Sequence, residues 1–158
     1  MNTLTRTILL NFQNNSIGIL YFVLDDYHGF SQDDTDDNIQ TCIDKSVYQN
    51  PVINWRRIEL NEIPQDRYFR NAWEDHNGIE VNMNKAREIH KDYLRKLRKP
   101  KLETLDIDYM RAIETNDIEL QSEIIEQKQA LRDVTTIPEI ANAETPEQLK
   151  AIIPNILI

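Results

Sequence analysis

Residues 81–106 read VNMNKAREIHKDYLRKLRKPKLETLD, and here the chain turns from strand-like to helical patterning. Met83, Ala86, Ile89 or His90, Tyr93, Leu94 and Leu97 recur at three- and four-residue spacing, as on a helix with one apolar stripe. Pro100 lacks an amide hydrogen and its ring crowds the carbonyl four residues back, so a kink or a stop is predicted near Arg98. A further helical stretch is expected over Leu102–Glu114, with Leu102, Leu105, Tyr109, Met110 and Ile113 in phase. Asp117 suits the cap of the next helix, whose apolar side would hold Leu120, Ile124, Ile125 and Leu131. Residues 135–143 read as a loop or short turn. Thr145-Pro146-Glu147-Gln148 then combines a Thr cap, a proline at the first helical position and a glutamine three residues after the cap. That helix should end before Pro154.

N-terminal to Val81 the period is different. Thr7–Phe12 (TILLNF) and Ile17–Leu24 (IGILYFVL) are rich in β-branched and aromatic residues, with the turn-forming Gln13-Asn14-Asn15-Ser16 between them. The second run is more apolar than simple alternation, so it is expected in the middle of the sheet. Asp33–Asp37 with Thr35 marks a helix start. Ile39, Cys42 or Ile43, and Val47 follow at helical spacing to about Tyr48. Val52–Leu60 is a third strand of uncertain register. Ile63–Asp75 reads as a loop, Asn77-Gly78 as a turn and Ile79–Val81 as a short strand. The expected class is α+β: a small β-containing unit over 1–81, then a helical hairpin or three-helix region over 82–158.

Composition narrows function by exclusion. The 158 residues carry a formal net charge of -9, the wrong sign for general phosphate binding. The longest apolar run is far shorter than a membrane span requires, and no signal peptide is read. Cys42 is the only cysteine, so neither an internal disulfide nor a cysteine-ligated zinc site can form, and a buried small apolar role suits it best. No histidine has a second at metal-ligand spacing; His28 with Asp25 and Asp26 is better read as a loop histidine among solvated acids. Counted as a calcium loop from Asp33, the run lacks the glycine at its sixth position and the glutamate at its twelfth. No nucleophile–base set and no phosphate-cradling glycine loop stands out, so no enzyme activity and no cofactor are expected.

Two features speak for binding. Arg67, Tyr68, Phe69, Arg70 and Trp73 lie together in DRYFRNAWED, and Trp, Tyr and Arg are the residue types that anchor interfaces; closing the core is the other role open to them. Lys85, Arg87, Lys91, Arg95, Lys96, Arg98, Lys99 and Lys101 form a basic run broken by Glu88 and Asp92. Up to Glu80 the chain carries 13 acidic and 6 basic residues, about -7, so this run suits pairing with acidic surface in the chain or on a partner. Tyr93 is the only interleaved aromatic and falls in the apolar phase, which argues against nucleic acid.

From Ile63 to Pro154 the chain resembles small proteins encoded in the tail and tail-fibre gene regions of tailed bacteriophages. The matching pieces are IPQDRYFRNAWE, VNMNKAREIHKDYLRKLR, LETLDIDYMRAIETND, KQALRDV and TPEQLKAIIP. The KQALRD piece (Lys128–Asp133) is similar to the endings of phage tail-assembly chaperones. Ile152-Ile153-Pro154 departs from relatives that more often carry a tryptophan before the proline. The resemblance implies a non-enzymatic protein that binds tail or tail-fibre proteins, placed in the virion tail. It also admits an assembly chaperone confined to the host cytoplasm. Partner contact is expected at Arg67, Tyr68, Phe69, Arg70, Trp73, Lys91, Arg95, Arg98, Leu131 and Arg132, with a second copy of the chain among the candidate partners.

Overall fold

The computed structural model describes residues 4–24 and 35–158. The chain splits into two compact units, Met1–Asn82 and Met83–Ile158. His28, Asp25, Asp26, Asp33 and Asp34 lie outside the described residues.

In the first unit β1 (Leu4–Phe12), β2 (Ile17–Leu24) and β3 (Val52–Ile58) form an antiparallel sheet in the order β2-β1-β3. The β1–β2 turn is fixed locally: Asn14 Oδ1 accepts from Ser16 N at 3.1 Å, and Asn15 takes the left-handed φ of 58° that Asn tolerates. Helix α1 (Asp36–Lys45) starts where expected, with Thr35 Oγ1 accepting from Asn38 N at 3.3 Å. It stops short of Tyr48 because Ser46 N turns back to Ile43 O at 3.1 Å, which leaves Val47 in solvent rather than in the apolar stripe.

Strand alternation puts Ile8, Leu10 and Phe22 in a core with Ile39 and Ile43 of α1, against which Phe12, Leu20, Cys42, Tyr48, Val52 and Trp55 pack partly buried. Trp55 Nε1 donates to Gln40 Oε1 at 2.7 Å on this side. Strand β2 is an edge strand and β1 the central one, contrary to the expectation from hydropathy. Ile17 and Ile19 of β2 line a cavity with Arg67, Arg70, Asn71 and Trp73.

The stretch expected as loop is held by short turns. Tyr68 N donates to Asp66 Oδ1 at 2.9 Å, Arg70 N to Arg67 O at 3.1 Å and Ala72 N to Phe69 O at 2.8 Å. It leads into β4 (Trp73–Asp75), paired with β5 (Ile79–Val81) across the Asn77-Gly78 turn, where Asn77 has φ 64°. Asp75 joins this hairpin to the three-stranded sheet. Its carboxylate accepts from Asn11 Nδ2 at 3.2 Å and from Arg56 Nε and Nη2 at 3.0 and 2.9 Å.

That fork has a pH consequence. Arg56 beside it, and Asn11 less strongly, hold the Asp75 carboxyl below the usual carboxylate range against the opposing effect of burial. A depressed folded-state value means the contribution is present above the unfolded value, about 3.8, and is lost as pH falls through the folded one. Asp75→Asn should therefore lower stability by about 1.5 kcal/mol at neutral pH and flatten the acid limb below pH ~4 in chemical unfolding.

The second unit is helical. Helix α2 spans Met83–Glu114 without interruption, so Pro100 lies inside it and neither kinks it to a stop nor divides it. Pro100 is exposed, which lets the carbonyl left without a partner face water. Asn116, at φ 56°, ends the helix, and Asp117 caps α3 (Ile118–Asp133) by accepting from Leu120 N at 3.0 Å. Residues expected as loop contain α4 (Pro138–Asn142). Helix α5 (Pro146–Ala151) carries the full capping box of Thr145 and Gln148. The core holds Ala86, His90, Leu94, Ala112, Ile124, Leu131, Val134, Ile140, Ala143, Leu149 and Leu157. Leu120 and Ile125, expected inside, are exposed, as are Met110 and Ile113.

Candidate interaction surfaces

The cations of α2 fall into two groups. Arg87 donates to Ile140 O at 3.2 Å and Ala143 O at 2.9 Å, beside the end of α4. Arg98 donates to Leu131 O at 3.3 Å and Arg132 O at 2.7 Å, at the end of α3. Lys101 Nζ donates to Ile156 O at 2.9 Å in the last turn of the chain. Each meets carbonyls at a chain or helix end, where a positive charge is favoured. These three fasten the unit and are taken up by backbone, which further weakens a phosphate-binding reading. Lys91 and Arg95 instead pair with the acids one turn back, Glu88 at 2.8 Å and Asp92 at 2.5 Å. Such exposed pairs contribute little, so both cations stay available to a partner. Leu131 is buried, which removes it as a contact, and Arg132 is exposed with its carbonyl engaged.

His90 is wholly buried, and its ring lies 2.8 Å by Nε2 from Ile152 O. A carbonyl only accepts, so Nε2 carries the proton and donates. Burial pushes the imidazole below its ordinary 6.5, with the Ile152 bond opposing. The folded state thus resists protonation: stability is full above about 6.5 and falls as pH drops through the lower folded value. The expected result is weaker resistance to urea at pH 5 than at pH 7.5, with His90→Asn removing most of that difference.

The end of the α2–α3 hairpin is unlike the rest of the unit. Met110 and Ile113 on α2, and Ile118 and Ile125 on α3, are 57%, 46%, 62% and 52% exposed. They sit among Glu103, Asp106, Asp108, Glu114, Asp117, Glu119, Glu123 and Glu126, with Arg111 the only cation from 102 to 126. Lys128 reaches back to Asp106 at 2.5 Å and lies 5.3 Å from the Tyr109 ring. Four exposed large apolar side chains in a stretch with eight acids and one cation suit a partner that is both apolar and basic.

In the first unit the aromatic–arginine segment divides by burial. Phe69 and Trp73 are buried, Tyr68 is half-buried with its ring edge-on to Phe69 at 4.6 Å, and Arg67 and Arg70 are exposed. The aromatic anchors thus serve the fold, and the arginines face outward. Arg67, Arg70, Asn71 and Trp73 line a cavity of about 240 Å³ with Ile17, Gly18, Ile19 and Tyr21. The Arg67 guanidinium lies 6.0 Å from the centre of the Trp73 ring. Trp73 is 3% exposed, and its Nε1 has no acceptor among the described residues. Such a group ordinarily costs about 1–3 kcal/mol. The hairpin end carried no sequence motif, whereas the cavity draws Arg67, Arg70, Asn71 and Trp73 from DRYFRNAWED. Phase alone would have put Met110, Ile113 and Ile125 inside.

Among the described residues no group of three His, Cys, Asp or Glu side chains could hold a metal ion, and no helix is long and apolar enough to cross a membrane. The geometry defines an α+β chain whose candidate sites are surfaces for contact. No family model, curated protein or solved structure matches the chain.

Proposed function

We propose that this chain is a non-enzymatic component of a tailed-phage tail or tail-fibre region, carried in the virion tail and binding other tail proteins there. The observation that supports the reading is the exposure of Met110, Ile113, Ile118 and Ile125 within the acidic stretch 102–126 of the α2–α3 hairpin. A partner segment with apolar residues flanked by basic ones complements it in both hydrophobicity and charge. The phage context rests on the sequence resemblance over residues 63–154. Lys91 and Arg95 offer a second, basic contact on the same unit.

The test is co-expression of the tagged chain with each tail and fibre protein of the phage that encodes it. At least one should co-purify through size-exclusion chromatography. Failure with every one of them would sink the reading. The assembly-chaperone alternative rests on KQALRD alone. In the fold that segment forms the last turns of α3, with Leu131 in the core and Lys128 paired to Asp106.

A further inference from the structure

The cavity of the first unit has an unusual charge balance. The unit's sequence is acidic, at about -7 up to Glu80, yet among the described residues no Asp or Glu side chain lines this cavity. Its polar wall is Arg67, Arg70 and Asn71, all donors or donor-capable, and neither arginine has a carboxylate partner among the described residues. The unit's other well-placed cation, Arg56, is forked onto Asp75 and bonded to Glu62. The Trp73 ring closes one side of the cavity, 6.0 Å from the Arg67 guanidinium. The two charged groups at this cavity are thus guanidiniums with no carboxylate partner among the described residues, beside Asn71 and Tyr21, which can donate or accept.

We infer that the cavity lined by Arg67, Arg70, Asn71 and Trp73 binds a carboxylate group presented by an acidic segment of a partner protein. The donors call for an oxyanion, and a guanidinium fork matches the two oxygens of a planar carboxylate. At about 240 Å³ the space holds one carboxylate-bearing side chain and little more. The unit's sequence is acidic, so binding must come from short-range guanidinium–carboxylate contacts and not from net charge. Turns closing at Arg70 N to Arg67 O and at Ala72 N to Phe69 O, anchored by buried Phe69 and Ala72, hold both arginines at the cavity before any ligand arrives. Carboxylate binding is independent of the tail role and is tested on the protein alone.

The experiment uses the full chain carrying Trp55→Phe, which leaves Trp73 as the only tryptophan, titrated with a hexaglutamate peptide. Saturable change in Trp73 emission is expected. Affinity should fall about tenfold or more in Arg67→Gln/Arg70→Gln, less in the charge-keeping Arg67→Lys/Arg70→Lys, and stay within about twofold in Lys96→Gln/Lys99→Gln on the basic helix. Hexaglutamine should not bind. No Trp73 response, or equal affinity in the Arg67→Gln/Arg70→Gln variant, overturns the inference. Loss of affinity in Lys96→Gln/Lys99→Gln overturns it in favour of the helix. Saturable binding of inorganic phosphate without binding of hexaglutamate overturns the carboxylate assignment. Loss of carboxylate binding with intact capture of a tail protein would fault this inference alone.

Discussion

Under the proposed tail role, aspartate at Ile113 and Ile125 together will reduce capture of a tail partner at least a hundredfold while leaving the helical unit folded. Both side chains are largely in solvent, so charge there is hydrated in the free protein and stability should move by only about 0.5 kcal/mol. In a complex that covers them, two carboxylates would be desolvated against apolar surface. Each costs on the order of 1–3 kcal/mol, and a tenfold change is about 1.4 kcal/mol. The rim already carries eight acids between residues 103 and 126, so the new charges gain no cation locally except Arg111. Pull-down against the wild-type chain, with far-UV circular dichroism for fold, reads both quantities. Wild-type capture by the double variant would mean that the partner binds elsewhere.

Pro100→Ala should raise the stability of the helical unit by about 2 kcal/mol. Proline inside a helix loses the bond to the carbonyl four residues back and is about 3 kcal/mol worse than alanine. Its stiffening of the unfolded chain returns about 0.4–1 kcal/mol. Pro100 is exposed within the unbroken helix Met83–Glu114, so alanine restores the bond without removing any core contact. The midpoint of urea unfolding should rise with an unchanged slope. A lower midpoint would show that the proline holds a geometry the unit needs.

These two residue groups also mark where sequence reading reached its limit. The α+β order, the caps at Thr35, Asp117 and Thr145, and the Asn77-Gly78 turn are local chemistry, and local chemistry is visible in a sequence. The helix runs on through Pro100 instead of stopping there, because a break depends on what the rest of the helix packs against. Leu94 on one side of it and Ala112 on the other are both buried, and their packing outweighs one lost bond. The edge position of β2 is not legible for a similar reason: Ile17 and Ile19 face a cavity shared with Arg67, Arg70, Asn71 and Trp73, and no second strand is hydrogen-bonded to β2 among the described residues.

The candidate sites were half legible. The arginine and aromatic composition of residues 67–73 was plain, but not that Phe69 and Trp73 turn inward while Arg67 and Arg70 line a cavity. The basic run was plain too. That Arg87, Arg98 and Lys101 bind carbonyls of residues 33 to 56 positions away depends on tertiary structure. At the hairpin end, Met110, Ile113 and Ile125 are in helical phase and still exposed, because phase reports a face and not whether anything covers it.

The most direct test of a tail role is the composition of the particle. Virions of the encoding phage, purified through a density gradient, would be measured by quantitative mass spectrometry against the lysate. For a tail component, this chain is expected at a fixed ratio to the tail proteins. Abundance in the lysate with absence from the particles would contradict it and identify an assembly factor instead.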